Sequence, residues 1–223
     1  MGNHIPLRQI AFDNSDVVSG LEPKRMTAQT VRMQVQQTPD SLTGQILIAM
    51  PGMGDPRFDH SVVYLCAHSD EGAMGLIINK PAADLELPAL LEQIGITPTD
   101  KMRKMPIHFG GPVEHGRGFV LHTTDYAENP STLQVNESFG MTATLDILED
   151  IAQGGGPDTC ILALGYAGWG PGQLEFELQE NGWLTAEADP ALIFNPNAND
   201  IWTKALGVIG IDPSMLSTTG GRA

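Results

Sequence analysis

The sequence predicts an α+β fold built around a mixed β-sheet. Strand-like runs outnumber helical segments, and strands follow one another in pairs before the first helix, unlike the strict alternation that produces a parallel sheet. The 25 glycines and 16 prolines predict short elements joined by many turns. The chain has 223 residues, of which 41% are hydrophobic, so it is long enough to bury a sizeable core.

Eight segments have the pattern of strands. The apolar run 45–50 ends at Pro51-Gly52 and is typical of a buried strand. Segments 61–68 and 72–79 are separated by a short polar turn, so they predict a hairpin. The remaining strand-like segments are 106–109, 117–123, 132–136, 159–165 and 183–185.

Four segments are predicted to be helical from their apolar faces and their capping residues. They are 84–94, which ends at Gly95; 144–152, capped by Thr144; 171–179, which opens with Pro171; and a last helix through residue 208, capped by Asn199 or Asp200.

Three regions are predicted along the chain. Residues 1–43 are mixed in charge and lack a sustained period, so they predict a poorly ordered N-terminal arm. Residues 44–212 form the folded α+β domain, and the small, polar residues 213–223 predict a mobile C-terminal tail.

The formal charge of −15 lies entirely inside the folded region. Between residues 44 and 210 there are 7 Lys and Arg against 22 Asp and Glu. A negative field of this size repels phosphate backbones and anionic lipid headgroups, so neither direct nucleic-acid contact nor membrane binding is expected. The basic cluster of Lys101, Arg103 and Lys104 is interpreted as a solvated loop.

A cytoplasmic location is expected from the rest of the composition. The first ten residues lack the apolar stretch of a signal peptide, and no apolar run is long enough to span a bilayer. The two cysteines, Cys66 and Cys160, lie in separate apolar runs and do not suggest a disulfide framework.

Familiar cofactor and nucleophile motifs are missing from the sequence. The glycine-rich segment 110–118 has neither dinucleotide-binding spacing nor a phosphate-binding lysine, and no Gly-x-Ser-x-Gly motif is present. His108 and His122 fall on two strands that could pair, and with His115 they make a three-histidine site conceivable. Because scattered histidines are usually surface or hydrogen-bonded groups, neither a metal nor a cofactor is predicted.

Cys66 and His68 are the candidate catalytic residues. In a regular strand these two side chains point to the same face, and a neighbouring imidazolium would favour the thiolate. The alternative is that Cys66 is a small core residue, as free cysteines usually are. Glu175 and Glu177 are two residues apart on a predicted helix, so their side chains should diverge rather than form an acid/base pair.

Several blocks of sequence resemble the AlgH/YqgE family of bacterial proteins. The resemblance extends over most of residues 44–210, and the N-terminal arm lies outside it. The blocks are Leu47-Ile-Ala-Met-Pro51, Asp55-Pro-Arg-Phe58, Ser61-Val-Val-Tyr-Leu-Cys-Ala-His68, Gly72-Ala-Met-Gly-Leu-Ile-Ile-Asn-Lys-Pro81, Gly110-Gly-Pro-Val113, Arg117-Gly-Phe-Val-Leu-His122, Leu164-Gly-Tyr-Ala-Gly-Trp-Gly-Pro-Gly-Gln-Leu-Glu175 and Asn181-Gly-Trp-Leu184.

This resemblance implies a mixed, bifurcated sheet that forms a barrel-like core flanked by helices. It implies a cytosolic protein without established catalytic residues or a cofactor. It also carries the label of transcriptional regulator, which came from genetic effects on exopolysaccharide control. The sequence lacks a helix-turn-helix with a basic recognition helix, so any such effect is expected to act through a protein or small-molecule partner.

The expected function is therefore that of a binding or regulatory module. Turn-rich loops gathered at one end of the sheet would form its groove, and polar side chains of these loops would line it. The alternative is that these polar side chains satisfy buried backbone groups in the tight turns. The alternatives are a thiol-dependent enzyme that uses Cys66 or a hydrolytic enzyme that uses a His/Asp set, and an assembly role for the arm. The oligomeric state stays open. The groove candidates are Asp55, His60, Asn79, His122, Trp169, Gln173 and Glu175.

Overall fold

The computed structural model describes residues 41–126 and 130–216. These residues form nine strands and five helices. The strands are Gln45–Ala49 (β1), Val62–Ser69 (β2), Gly72–Ile77 (β3), Ile107–Phe109 (β4), Val113–Thr123 (β5), Thr132–Gln134 (β6), Phe139–Thr142 (β7), Cys160–Trp169 (β8) and Trp183–Glu187 (β9). The helices are Leu87–Gln93 (α1), Leu145–Ala152 (α2), Gln173–Gln179 (α3), Pro190–Ile193 (α4) and Ala198–Val208 (α5).

The strands form one curled, forked sheet in the order β6-β7-β5-β8-β3-β2-β1-β9. The fork lies at β8, whose first half pairs in parallel with β4 and whose last residues pair antiparallel with β3. The short strand β4 enters this fork and also bonds to the chain after β3, where the Phe109 N–H donates to the Lys80 carbonyl. The prediction of a mixed, bifurcated α+β sheet is confirmed.

The sheet buries residues on both of its faces. In β1, Ile46 and Ile48 point into the barrel-like interior, whereas Leu47 and Ala49 point to the outer face towards the two indoles of Trp169 and Trp183. A second outer core forms where α1 and α2 pack against β4, β5 and β8. Burial on both faces explains why these strands are nearly continuous apolar runs.

Several local predictions differ from the structure. The strands that carry His108 and His122 do not pair with each other, because both pair with β8. Thr144 makes no capping hydrogen bond, and Asn197, rather than Asn199 or Asp200, precedes α5. Two elements went unpredicted, namely β7 and the four-residue helix α4, whose N-terminal Asp189 accepts from the Ala191 N–H.

The predicted ends of the chain are described only in part. Residues 1–40 of the predicted arm and residues 217–223 of the predicted tail lie outside the described residues. The last arm residues dock on β2, where the Leu42 N–H donates to His68 Nδ1 at 3.0 Å. Residues Pro213–Met215 form a 3₁₀ turn. Among the described helices, none has the length and hydropathy that a membrane crossing requires.

Candidate functional site

A cavity of about 880 Å³ opens beside α3, and we call it the α3 groove. The antiparallel pairing of β1 with β9 places Ala49 opposite Trp183, which brings the loop after β1 next to the chain that connects α3 to β9. The groove is lined by residues 50–55, Arg57, Phe58, Pro112, Val113, Gly168, Trp169, Gln173, Phe176, Glu177, residues 180–182, Met215 and Leu216.

Glu177 organises the floor of the α3 groove. Its Oε2 accepts hydrogen bonds from the indole N–H groups of Trp169 at 2.9 Å and Trp183 at 2.8 Å. Its Oε1 accepts from the Gln173 amide at 2.9 Å, and Gln173 in turn accepts from the Gly170 N–H. A single carboxylate therefore connects the end of β8, the start of β9 and the first turn of α3.

The residues of α3 divide between the core and the groove. Gly172 adopts a left-handed φ of 71° just before the helix, a conformation that glycine reaches without strain. Leu174 is buried and Leu178 packs against the same core, as their spacing of four residues predicts. Phe176 lies off this apolar stripe, so 62% of it is exposed at the groove.

The opposite wall is the loop between β1 and β2, and polar side chains hold it in place. Asn79 accepts from the Val62 N–H and donates to the His60 carbonyl, both at 2.8 Å. Lys80 Nζ donates to the Arg57 carbonyl at 2.7 Å. Asn79 therefore acts by satisfying backbone groups of the loop, outside the groove lining.

An aromatic contact and an ion pair complete this wall. The Phe58 ring stacks near Trp169 at 6.4 Å between centroids and meets the edge of Trp183 at 5.4 Å. Asp55 accepts two close hydrogen bonds from the Arg57 guanidinium, from Nε at 3.0 Å and from Nη2 at 2.6 Å. These bonds hold the pKa of Asp55 below its usual value.

The structure brings three of the seven groove candidates to one cavity. Asp55, Trp169 and Gln173 line the α3 groove. The other four lie elsewhere: Asn79 supports the loop, His60 packs against Trp202, His122 is buried on β5, and Glu175 contacts His68.

His68 connects the N-terminal segment to α3. Because its Nδ1 accepts from the Leu42 N–H, its Nε2 carries the proton and donates to Glu175 Oε1 at 2.6 Å. A backbone N–H bond of Glu175, together with the bond from His68, lowers the pKa of that carboxyl group. Glu175 and Glu177 thus point to different partners, as their spacing predicts.

The expectation that Cys66 and His68 share a face is wrong. A β-bulge shifts the register between Leu65 and Ala67, which breaks the period of two. Cys66 packs in the barrel-like interior. His68 bonds to Leu42 and Glu175 near the outer core that contains Trp169 and Trp183. Burial raises the pKa of the Cys66 thiol, so its surroundings favour the unreactive thiol form.

Thiol titration should show two slow cysteines in the native protein. Burial raises the pKa of Cys160 to about 11 and that of the fully enclosed Cys66 further still. At neutral pH we expect both to react with 4,4′-dithiodipyridine at least about a hundredfold more slowly than in guanidinium, since each pKa unit lowers the thiolate fraction tenfold. In the Cys160→Ser variant, Cys66 is the only remaining thiol. Its rapid reaction in the native variant would support Cys66 as a nucleophile.

The three histidines considered for a metal site do not form one. His108 and His122 lie on strands at different edges of β8, and His122 bonds to the Thr123 carbonyl and the Thr142 hydroxyl. Across residues 41–126 and 130–216, no cluster of three His, Cys, Asp or Glu side chains could hold an ion.

The buried His108 predicts a loss of stability at acid pH. Burial lowers the pKa of His108 to about 4. The unfolded chain therefore binds the extra proton first, and stability falls as the pH drops from about 6.5 to about 4. The loss from this residue is expected to be about 3 kcal/mol.

Urea unfolding at pH 7 and pH 4 should measure this contribution of His108. The variant His108→Gln should lose less stability over this interval than the wild type. His115→Gln, which changes an exposed histidine on β5, should behave like the wild type. Equal losses in the wild type and His108→Gln would contradict the assignment.

The sequence blocks and the strands they form match a known protein family. The AlgH-like family model matches residues 46–214, which include every strand after the first residue of β1. The chain belongs to the AlgH-like family. It is 56% identical over 183 residues to a UPF0301 protein of Ruegeria pomeroyi, a match that covers 82% of this chain and 99% of that protein.

Further AlgH-like relatives and solved structures agree with this assignment. A UPF0301 protein of Rhodospirillum rubrum is 54% identical over 182 residues, covering 82% of this chain and 94% of that protein. The solution structure of the AlgH protein from Pseudomonas aeruginosa has a TM-score of 0.68 and 42% identity, covering 85% of this chain and 100% of that chain. A Corynebacterium diphtheriae structure, at 20% identity, shares the fold with a TM-score of 0.61 and covers 77% of this chain and 88% of that one.

Several residues of the groove in this AlgH-like chain were not predicted from its sequence. Phe176 could have been found, because an aromatic residue between two glutamates lies off the apolar stripe of the helix. Glu177 carries no such signal, since its indole partners come from two other segments. Met215 falls in the predicted mobile tail, yet it lines the groove.

Proposed function

We propose that this AlgH-like protein is a binding module whose α3 groove receives a protein or small-molecule partner. The observation that carries the proposal is the exposure of large apolar side chains beside a cavity. Three such side chains are well exposed among the described residues, and two of them, Phe176 and Met215, line the groove. Exposed apolar groups that are concentrated at a concave surface are typical of interaction sites.

The size and support of the groove favour this role. Its volume of about 880 Å³ falls within the range of ligand pockets. The Glu177 hydrogen bonds and the Asn79 bonds hold both walls, so little ordering is needed when a partner binds.

Any effect of this protein on transcription is proposed to be indirect. The folded region carries the whole net charge of −15, which opposes contact with a phosphate backbone. In a mobility-shift assay the pure protein is expected to leave duplex DNA unshifted. Sequence-selective binding that weakens with added salt would overturn this part of the proposal.

A binding screen with matched variants tests the groove itself. Peptides from a random phage-displayed library and fragments detected by NMR should compete for one site on the full chain. Phe176→Ser should abolish this binding, whereas Val208→Ser, which changes an equally exposed residue on α5, should preserve it. Ligands whose binding is unaffected by Phe176→Ser would contradict the proposal.

A further inference from the structure

We infer that the occupant of the α3 groove is a peptide segment of another protein in which a lysine or arginine lies next to a large apolar side chain. This inference rests on the proposed function, because it specifies the partner of the same groove. Three features of the lining carry it: uncompensated negative charge, exposed apolar side chains, and free backbone donors on one wall.

The charge of the lining is negative and only partly neutralised. Asp55 is paired with Arg57, the one basic residue of the lining. Glu177 accepts only from neutral donors, and within the described chain no cation forms a salt bridge with Glu177 or Glu180. Two carboxylates thus face the groove without a counter-ion, so a cationic partner complements them.

The positions of these two carboxylates are electrostatically unfavourable in the isolated protein. Glu180 is the C-terminal cap of α3, where the helix dipole favours cations over anions. Glu177 lies three residues earlier, so the two like charges are neighbours on the helix surface. A bound lysine or arginine would relieve both unfavourable interactions at once.

Apolar contacts supply the second part of the recognition. Phe176 is 62% exposed and Met215 is 82% exposed, and both line the groove. An apolar side chain next to the cationic one could cover them, while the cation reaches Glu177 and Glu180. Aromatic and methionine side chains of this kind are common anchors at interfaces.

The backbone of the facing loop favours a peptide over a rigid small molecule. Gly52 and Gly54 both line the groove, and a side chain added at Gly54 would meet no atom within 4 Å. No hydrogen bond among the described residues uses the N–H groups of Gly52 or Gly54. A peptide carbonyl can therefore approach this wall closely and accept from it.

Three fluorescein-labelled synthetic peptides test the chemistry by fluorescence polarisation with the full chain. The first has the core Leu-Lys-Phe-Leu-Lys, the second replaces lysine with glutamate, and the third replaces leucine and phenylalanine with serine. We expect the first to bind, the glutamate peptide to bind at least about tenfold more weakly, and added salt to reduce the difference. The serine peptide should also bind at least about tenfold more weakly.

Matched variants of the protein localise the interaction. Glu180→Gln should weaken binding of the lysine peptide about threefold to fivefold, and Phe176→Ser should weaken it about tenfold or more. Glu187→Gln on β9 and Val208→Ser on α5 change similarly exposed residues outside the groove, so both should bind like the wild type.

The outcomes separate this inference from the proposed function. Equal binding of the lysine and glutamate peptides, or no effect of Glu180→Gln, would overturn the inference. If binding still depended on Phe176, the proposed function of the α3 groove would stand. If none of the three peptides bound but the screened ligands still competed for a site that depends on Phe176, the inference would likewise fail and the proposed function would stand. If Phe176→Ser leaves every ligand bound as before, both proposals fail.

Discussion

Replacing Gly111 with alanine is expected to lower the free energy of unfolding by at least about 3 kcal/mol. An added Cβ at this position would overlap the carbonyl group of Tyr166 and the backbone nitrogen of Ala167. Backbone atoms cannot move aside as a flexible side chain can. The turn between β4 and β5 would therefore have to separate from β8.

This separation would open the fork of the sheet. The neighbouring Gly110 donates its N–H to the Leu164 carbonyl at 2.8 Å and accepts from the Ile77 N–H at 2.7 Å, so it connects β8 to the end of β3. Loss of the close approach at Gly111 would strain both bonds. The expected result is a large fall in soluble yield and in the midpoint of urea unfolding.

Gly54→Ala is the matched control for Gly111→Ala. A Cβ at Gly54 would meet no atom within 4 Å, so its free energy of unfolding should stay within about 1 kcal/mol of the wild type. Similar stability of Gly111→Ala and Gly54→Ala would show that the β4–β5 turn does not depend on close contact with β8.

Replacing Glu177 with alanine is expected to cost about 3 kcal/mol of stability. Trp169 is 6% exposed and Trp183 is 2% exposed, so their indole N–H groups cannot turn to water when the carboxylate is removed. Each buried donor that loses its acceptor costs roughly 1 to 3 kcal/mol. The Gln173 amide would lose its partner as well.

Glu180→Ala provides the comparison for Glu177→Ala, since Glu180 is exposed and ends the same helix. Its effect on urea unfolding should lie within about 0.5 kcal/mol of zero. Tryptophan emission should change in Glu177→Ala alone, because only this variant removes the acceptor of the two indole N–H groups. Equal stabilities of the two variants would mean that the indole hydrogen bonds contribute little.

Most individual elements could be predicted from local sequence, but their pairing could not. The run 45–50 and the segment 61–68 are apolar on both faces, and each forms a strand within one or two residues of the predicted bounds. The insertion of β4 into the fork leaves no local signal, because it depends on Gly110 and Gly111 touching β8. The local sequence does not predict β7, because Gly140 interrupts a short apolar run. A Cβ at Gly140 would press on the His122 ring.

Residues of the candidate site are predictable only where the residue type is itself conspicuous in the local sequence. Trp169 and Gln173 are predictable because large or polar groups stand out in a turn-rich segment. Asn79 is also among the predicted groove residues, but its role as a support for the β1–β2 loop depends on bonds to residues 17 and 19 positions away. Cys66 and His68 were paired by a period of two that the bulge in β2 breaks.

The sequence by itself determined the α+β class, the acidic character of the folded region and membership of the AlgH-like family, because composition, apolar periodicity and ordered blocks are local properties. Only the tertiary structure decided which side chains meet. Glu177 lies six and eight residues from its two indole partners, yet it reaches them only because α3 folds back between β8 and β9. The α3 groove exists for the same reason, since its walls come from segments that the sheet pairing brings together.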